Sequence, residues 1–244
     1  MAKILLIETA SEVCGAAIAV DGQTIALAED PDQARHAERL TLLIAECCSQ
    51  AAFKLSDLDA VAVSRGPGSY TALRVGVSTA KGICFALDKP LIAVDTLQAL
   101  AAASLLEYGK TQPVSRSPHS VIAIPMLDAR RQEVWTAAYD DQLHVAVPAQ
   151  PLILQHELFE KFLNTIPDYN PETVCIISGN GSKKTEDAGI VENVVFSPVK
   201  KCSANYLAGL AEQFFQKNDF QNITHFEPFY MKSPNITTPN KPAF

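Results

Sequence analysis

The sequence predicts an α/β fold in which one architecture occurs twice, and three observations lead to this prediction. Short apolar runs such as residues 4–7 and 60–63 have the length and composition of buried strands. Helix-compatible stretches separate the later runs, so that the first half has the order βββαβαβα. A similar pattern begins again after residue 120. At 244 residues, the chain is long enough for two such lobes, each with its own core.

The first lobe is expected to span residues 1–110. Asp21-Gly22 is a strong signal for a hairpin turn between the second and third strands. Pro31 ends the third strand, and amphipathic or apolar helices follow. The expected strands are residues 3–9, 13–20, 24–29, 60–64 and 91–94, and the expected helices are residues 36–51, 69–86 and 96–107.

A polar stretch at residues 109–120, with Pro113 and Pro118, marks the boundary between the lobes. The second, smaller lobe is expected at residues 120–232, followed by a flexible tail at 233–244 that is rich in Pro, Asn and Thr. Its expected strands are residues 121–128, 133–139 and 174–178, with a further apolar segment at 145–154 and helices at 157–164 and 204–217.

The repeat itself indicates a particular architecture. In each half the first strand ends on an acid, Glu8 or Asp128, and a short turn follows. Each half also carries a glycine-containing turn after a later buried strand, at residues 64–68 and 178–182. Two tandem lobes of the βββαβα type indicate the duplicated actin-like (ASKHA, ribonuclease H-like) fold. In such a fold we expect Glu8 and Asp128 to face each other across a cleft.

The most distinctive stretch of the chain is the loop between the fourth strand and the second helix, which we call the motif loop. Its members are Arg65, Gly66, Pro67, Gly68, Ser69, Tyr70 and Thr71. Glycines, an N-cap serine and the free N–H groups at a helix start could hold a phosphate. The spacing matches neither a P-loop nor a dinucleotide-binding fingerprint, so a structural turn is the alternative interpretation.

The helix after the motif loop is apolar on nearly all sides. Such a helix lies deep in one domain or shares a face with a partner. Two stripes, one on this helix and one on residues 36–51, present more apolar surface than one sheet should need. The residues of these stripes, together with Lys81, form either the core of the lobe or a partner surface, and they are Leu40, Leu43, Ile44, Cys47, Leu73, Gly76, Val77, Ala80, Lys81 and Cys84.

Composition excludes several classes of function. A net charge of −7 at pH 7 argues against a protein that holds nucleic acid by itself. Six cysteines without a C-x-x-C pair indicate buried thiols, and five histidines without H-x-x-x-H spacing argue against a metal site on a helix. No apolar run approaches the roughly 20 residues of a membrane span, and no leader pattern is present. We expect a cytoplasmic protein without cofactor or metal.

Three motifs carry a resemblance to a known family. They are residues 8–12 (ETASE), the run RGPGSYTALRVG at 65–76 with Lys81-Gly82, and Asp128-Ala129-Arg130 with Glu133-Val134. These motifs resemble the TsaB (YeaZ) family of bacterial proteins, which are glycoprotease-like relatives of TsaD. The match covers mainly residues 1–139, and Gly179-Asn180-Gly181 and Pro228-x-Tyr230 extend it weakly toward the end.

The resemblance implies a role as a non-catalytic subunit in making N6-threonylcarbamoyladenosine on tRNA adenosine 37. In the family, TsaD transfers the threonylcarbamoyl group and TsaE binds ATP. The TsaB-like subunit pairs with TsaD through two N-terminal helices, which correspond to residues 36–51 and 70–87 here. Alone, it forms homodimers through the same surface. The resemblance therefore implies a TsaD-like partner, a TsaE-like ATPase, and contact with tRNA only through the complex.

The residues also depart from what an enzyme of this fold should have. The catalytic relative needs two metal-binding histidines four residues apart on its first helix, whereas His36 is followed by Leu40 here. The turns after the two strand-end acids lack the glycine that lets backbone amides approach phosphates. A vestigial nucleotide cleft would comprise Glu8, Thr9, Ser11, Asp128, Gly179, Asn180 and Gly181.

Two alternatives stay open at this point. One is an actin-like nucleotide-binding enzyme, either a kinase or a peptidase, with Glu8, Asp95 and Asp128 as the available acids. The other is a nucleotide-sensing module that uses the motif loop and residues 179–182.

Overall fold

Two five-stranded mixed sheets form the framework of the protein. The computed structural model describes residues 1–31, 35–111, 120–189 and 194–232. The expected tail at 233–244 and most of the expected boundary at 109–120 lie outside this part of the chain. None of the described helices is both long and apolar enough to cross a membrane.

The first sheet has the strand order β3-β2-β1-β4-β5. Strand β1 pairs with β2 in antiparallel and with β4 in parallel direction. Its strands are β1 (Lys3–Glu8), β2 (Cys14–Val20), β3 (Gln23–Asp30), β4 (Ala60–Gly66) and β5 (Leu91–Asp95). The helices in this half are α1 (His36–Ala51), α2 (Tyr70–Leu87) and α3 (Thr96–Thr111), and a short 3-10 helix occupies Leu55–Asp57.

The second sheet repeats this arrangement strand for strand. Its order is β8-β7-β6-β9-β10, and β6 again pairs antiparallel with the next strand and parallel with β9. Its strands are β6 (Val121–Asp128), β7 (Glu133–Tyr139), β8 (Val145–Ile153), β9 (Val174–Ser178) and β10 (Val194–Phe196). The helices are α4 (His156–Leu163), α5 (Ser182–Asp187) and α6 (Ala208–Gln216), with a 3-10 helix at Ala204–Leu207. The prediction of a duplicated actin-like α/β fold is confirmed.

Side chains of the first sheet alternate between two helix layers, as the pleat of a strand requires. Leu5 and Ile7 of β1 belong to a core shared with α1 and α2. Ile4 and Leu6 point to the opposite face, where they pack with Leu207 and other residues of the C-terminal region. Both faces of this sheet are therefore covered, which explains why β1 and β4 read as continuous apolar runs.

The last helix of each lobe in sequence packs against the other lobe, and we call this arrangement the helix exchange. Helix α3 follows the first sheet in sequence, yet its Leu97 and Leu100 pack with Ala123 and Leu127 of the second lobe. Helix α6 closes the sequence of the second lobe, yet it packs on β1 and β5 of the first. The expected second lobe at 120–232 is therefore corrected, because 204–216 complete the core of the first lobe.

The chain ends, within the described residues, in a segment that returns to the first lobe. We call residues 221–232 the C-terminal strap. It begins at the edge strand β5, where the Gln221 amide donates to the carbonyl of Leu91 at 2.8 Å. It then runs beside α2 and reaches the motif loop, where the Phe229 amide donates to the carbonyl of Arg65 at 2.7 Å. The strap therefore pairs with the edge strand β5 at one residue, Leu91.

Candidate functional site

The motif loop is a junction of three chain segments. A Cβ atom on Gly66 would lie 2.5 Å from the carbonyl oxygen of Phe229, and a Cβ on Gly68 would lie 2.3 Å from that of Ala10. Ser69 donates its amide to the same oxygen of Ala10 at 2.7 Å. The turn after β1 and the C-terminal strap thus both pack directly on the loop backbone. This close packing supports the structural interpretation of the loop.

The two glycines of the loop are required for different reasons. Gly66 has a positive φ of +114°, whereas close packing is the constraint at Gly68. Ser69 does occupy the N-cap of α2, but its side chain makes no capping hydrogen bond. Its carbonyl accepts the amide of Leu73 at 2.9 Å instead.

A cavity of about 770 Å³ lies between the lobes, at the edge where β1 and β6 end. It has an aromatic and polar lining. The lining consists of Ala10, Ser11, Glu12, Gly68, Ser69, Tyr70, Thr71, Leu127, Asp128, Ala129, Arg130, Trp135, Asn180, Tyr230, Met231 and Lys232. Of the seven residues expected in a vestigial cleft, Ser11, Asp128 and Asn180 line it. Glu8, Thr9, Gly179 and Gly181 do not, which corrects that prediction.

Glu8 points into the protein interior, with 1% of its surface exposed. One carboxyl oxygen accepts the Ala10 amide at 2.6 Å and the Ser64 hydroxyl at 3.0 Å. Burial raises the pKa of Glu8 to about 7, and these hydrogen bonds oppose the rise. The expectation that Glu8 faces Asp128 across the cleft is wrong, because the carboxyl holds the turn after its own strand.

Asp128, at the equivalent strand end, is exposed at the cavity instead. Its carboxylate accepts the amide of Arg130 and the ammonium of Lys184, each at 2.6 Å. Its own amide donates to the Asn180 side chain at 2.9 Å, and that side chain donates to Glu12 of the first lobe at 2.7 Å. Asn180 therefore links the two lobes across the cleft. No pattern in the sequence points to Lys184, because its helix α5 is only six residues long and mostly polar.

One backbone amide in each of three turns at the cleft is bonded within the chain. The Ala10 amide is held by Glu8, the Arg130 amide by Asp128, and the Gly181 amide by the carbonyl of Met126 at 3.0 Å. A phosphate-binding turn needs such amides free and convergent. Among the residues that the structure describes, no group of three or more His, Cys, Asp or Glu side chains could hold a metal ion.

The residues expected to form the partner surface lie in the core of the first lobe. Nine of the ten are buried, namely Leu40, Leu43, Ile44, Cys47, Leu73, Gly76, Val77, Ala80 and Cys84. The tenth, Lys81, is half-buried and donates to the carbonyl of Phe226 at 2.9 Å. The choice of residues is therefore corrected, because the first sheet uses this stripe of each helix for its own core.

The opposite sides of α1 and α2 face solvent, and we call them the outer face. Phe85 of α2 is 84% exposed and Leu42 of α1 is 57% exposed. Small residues surround them along the two helices, and the outer face comprises Leu42, Ala45, Ser49, Ser78, Gly82 and Phe85. Phe85 lies outside the apolar stripe of α2 that the sequence shows. A large apolar residue outside that stripe is the signal that could have identified it.

Comparison with known proteins adds to this geometry. A family model described as TsaD, tRNA N6-adenosine threonylcarbamoyltransferase, matches residues 31–239. The solved structure of YeaZ from Pseudomonas aeruginosa superposes with a TM-score of 0.76 and 21% identity, over 94% of this chain and 100% of that one. The chain belongs to the TsaB (YeaZ) branch of this family.

Curated relatives carry names from both branches of the family. The Escherichia coli K12 protein named TsaB is 26% identical over 95% of this chain and 95% of its own length. The Haemophilus influenzae TsaB protein is 33% identical, over 54% of this chain and 51% of its own length. A Clostridium botulinum tRNA N6-adenosine threonylcarbamoyltransferase is 28% identical over 84% of this chain, which spans 65% of that longer relative.

Proposed function

We propose that this TsaB-family chain is a non-catalytic scaffold subunit for the N6-threonylcarbamoyladenosine modification of tRNA adenosine 37. It pairs with a TsaD-like subunit through the outer face of α1 and α2, and a TsaE-like ATPase joins the complex. Alone, it forms a homodimer through the same face. Its site of action is the cytoplasm. The observation that carries this proposal is the exposure of Phe85, a large aromatic side chain on the outer face.

Leaving the large aromatic side chain of Phe85 in water costs free energy that burial in an interface would recover. Large exposed apolar side chains that lie next to small residues allow a second surface to approach closely. Aromatic residues in this position are the typical anchors of protein interfaces, and a few of them contribute most of the binding free energy. Phe85 and Leu42 provide such anchors, while Ala45 and Gly82 provide the small neighbours.

The cleft supports the non-catalytic part of the proposal. Glu8 and Asp128 both bond the turn that follows their own strand, so these acids are engaged in holding the backbone. Lys184 is likewise engaged by Asp128. The net charge of −7 supports contact with tRNA only through the complex, because phosphate binding needs clustered positive charge.

The experiment measures the affinity of this chain for the TsaD-like subunit of the same organism. Phe85→Glu should weaken the pair by at least about 30-fold, the effect of losing a central anchor. Leu106→Glu is the matched control, since Leu106 of α3 is 70% exposed and lies away from the outer face. In a strain that relies on the Phe85→Glu variant, threonylcarbamoyladenosine in tRNA should fall. Equal binding by wild type and Phe85→Glu would refute the pairing.

A nucleotide-binding enzyme is the second candidate, and one observation favours it. The inter-lobe cavity of about 770 Å³ is in the size range of small-molecule sites and contains Arg130 and Lys232. Calorimetric titration of the isolated protein with ATP and ADP, together with an ATP hydrolysis assay, separates the two functions. Turnover that is lost in Asp128→Ala would replace the scaffold proposal with the enzyme.

A further inference from the structure

Two cations on α2 hold the C-terminal strap, and both lie beside the outer face. Arg74 donates to the Tyr230 hydroxyl at 3.3 Å, and Lys81 donates to the carbonyl of Phe226 at 2.9 Å. Residues 74, 78, 81 and 85 follow each other at spacings of four, three and four, so they form one stripe of the helix. The strap therefore runs along the same stripe that ends in Phe85.

Lys81 donates a charged hydrogen bond to the main chain of the strap. Its ammonium meets a main-chain carbonyl in a half-buried position, and no ion pair of Lys81 occurs among the described residues. A bond to a main-chain oxygen fixes the path of the strap whatever side chain stands at position 226. A hydrogen bond from a charged donor is also about twice as strong as a neutral one.

Arg74 fixes the next part of the strap through two tyrosines. Its guanidinium carbon lies 4.2 Å from the ring centre of Tyr70 and its Nε bonds the hydroxyl of Tyr230. The two tyrosine rings are themselves 4.4 Å apart between centroids. Tyr70 belongs to the motif loop, so this cluster joins α2, the loop and the strap in one contact.

The far end of the strap reaches the second lobe. Lys232 forms an ion pair with Glu133 at the start of β7. Tyr230, Met231 and Lys232 also line the inter-lobe cavity. One continuous segment of about seven residues thus connects the stripe of Phe85 with a wall of the cleft.

We infer that Arg74 and Lys81 are positioning residues that hold the strap as a brace between the outer face and the cleft. A subunit bound on the outer face then acts on the same segment that sets the opening between the lobes. The partner half of this inference rests on the proposed function. Coupling of this kind is reciprocal, so fixing the strap should strengthen partner binding and partner binding should fix the strap.

The first test needs only the isolated protein. Lys81→Met keeps the apolar stem and removes the bond to Phe226, and Arg74→Ala removes the contacts with both tyrosines at an exposed position. Each variant should speed hydrogen exchange of the Phe229 amide by roughly tenfold, the effect of one charge-assisted hydrogen bond. Lys183→Met, at an exposed lysine of α5, is the matched control and should leave that amide unchanged. Unchanged exchange in both α2 variants would overturn the brace.

The second test adds the TsaD-like subunit. Its binding should slow exchange of the Phe229 amide, and Lys81→Met should weaken its binding by roughly 5- to 10-fold. Phe85→Glu separates the two proposals. If Phe85→Glu binds normally, the pairing surface is wrong while the brace of the first test stands. If Phe85→Glu fails to bind but Lys81→Met binds like wild type and the strap gains no protection, the coupling is wrong.

Discussion

The α-carbon of Gly68 lies against the main chain of Ala10, and a Cβ at position 68 would be 2.3 Å from the Ala10 oxygen. The turn after β1 and the loop before α2 are therefore in backbone contact. This contact fixes the start of α2 relative to the first strand, and it depends on the absence of a side chain at position 68.

Gly68→Ala should lower the free energy of unfolding by about 1–3 kcal/mol, the usual cost of forcing extra atoms into a packed site. Gly82→Ala is the matched control on α2, because a Cβ there meets nothing within 4 Å. It should gain about 0.5–1 kcal/mol from helix propensity. Urea denaturation measures both variants. A Gly68→Ala protein as stable as wild type would show that the loop backbone yields easily.

A second close approach joins α2 to Thr9, the residue that follows β1. A Cβ on Gly76 would lie 2.3 Å from the hydroxyl oxygen of Thr9, a buried atom. Gly76→Ala should therefore cost about 1–3 kcal/mol in wild type. Most of that cost should disappear in the Thr9→Ala background, where the hydroxyl is gone. Additive effects in the double-mutant cycle would contradict the contact.

Val77 and Ser78 are neighbours on α2 with opposite environments. Val77 is 3% exposed in the core of the first lobe, whereas Ser78 faces solvent. Val77→Arg should unfold the protein, since a buried unpaired charge costs several kcal/mol. Ser78→Arg should stay folded and reduce binding of the TsaD-like subunit. Circular dichroism measures whether each variant is folded, and a pull-down measures whether it binds the TsaD-like subunit. A folded Val77→Arg protein would mean that Val77 lies on the surface.

The raised pKa of Glu8 predicts that the free energy of unfolding decreases with rising pH. Its pKa is about 7 in the folded protein, against 4.5 for an ordinary glutamate. Between these values the folded state keeps a proton that the unfolded state has released. The free energy of unfolding should therefore fall as pH rises from 4.5 to 7, by about 3 kcal/mol in total from this group.

Glu8→Gln removes that dependence, because the amide stays neutral at every pH. Relative to wild type, the variant should gain stability between pH 5 and pH 8, as measured by urea denaturation at a series of pH values. Identical pH profiles for the two proteins would mean that Glu8 ionises normally inside the fold.

The sequence predicted the repeat well because the central strands of the two sheets, β1, β4, β6 and β9, are buried on both faces. Residues 121–128, 133–139 and 174–178 were placed at their observed bounds, since continuous apolar runs give strong local signals. Helix α5 and strand β10 were missed because each is very short, and α5 is mostly polar. The exchange of α3 and α6 was missed because local periodicity does not say which sheet a helix covers.

The residues of the outer face and of the cleft were harder to predict from the sequence than the strands. Helix α2 is apolar on most sides, so its pattern could not tell which stripe meets the sheet and which meets water. Glu8 and Asp128 end equivalent strands, yet one is buried and the other exposed. That difference arises from tertiary packing around each strand end, which the two short sequences do not encode. Whether the outer face binds a TsaD-like subunit stays a prediction.

Because of the helix exchange, one face of the first sheet is covered only late in the synthesis of the chain. The face of the first sheet that carries Ile4 and Leu6 is covered by residues 204–216, which are synthesised more than 100 residues after α2. At usual rates of translation, residues 204–216 are synthesised about 5–20 s after the first sheet. Until then part of this apolar face stays uncovered, so the core of the first lobe is completed only after the second lobe has been synthesised.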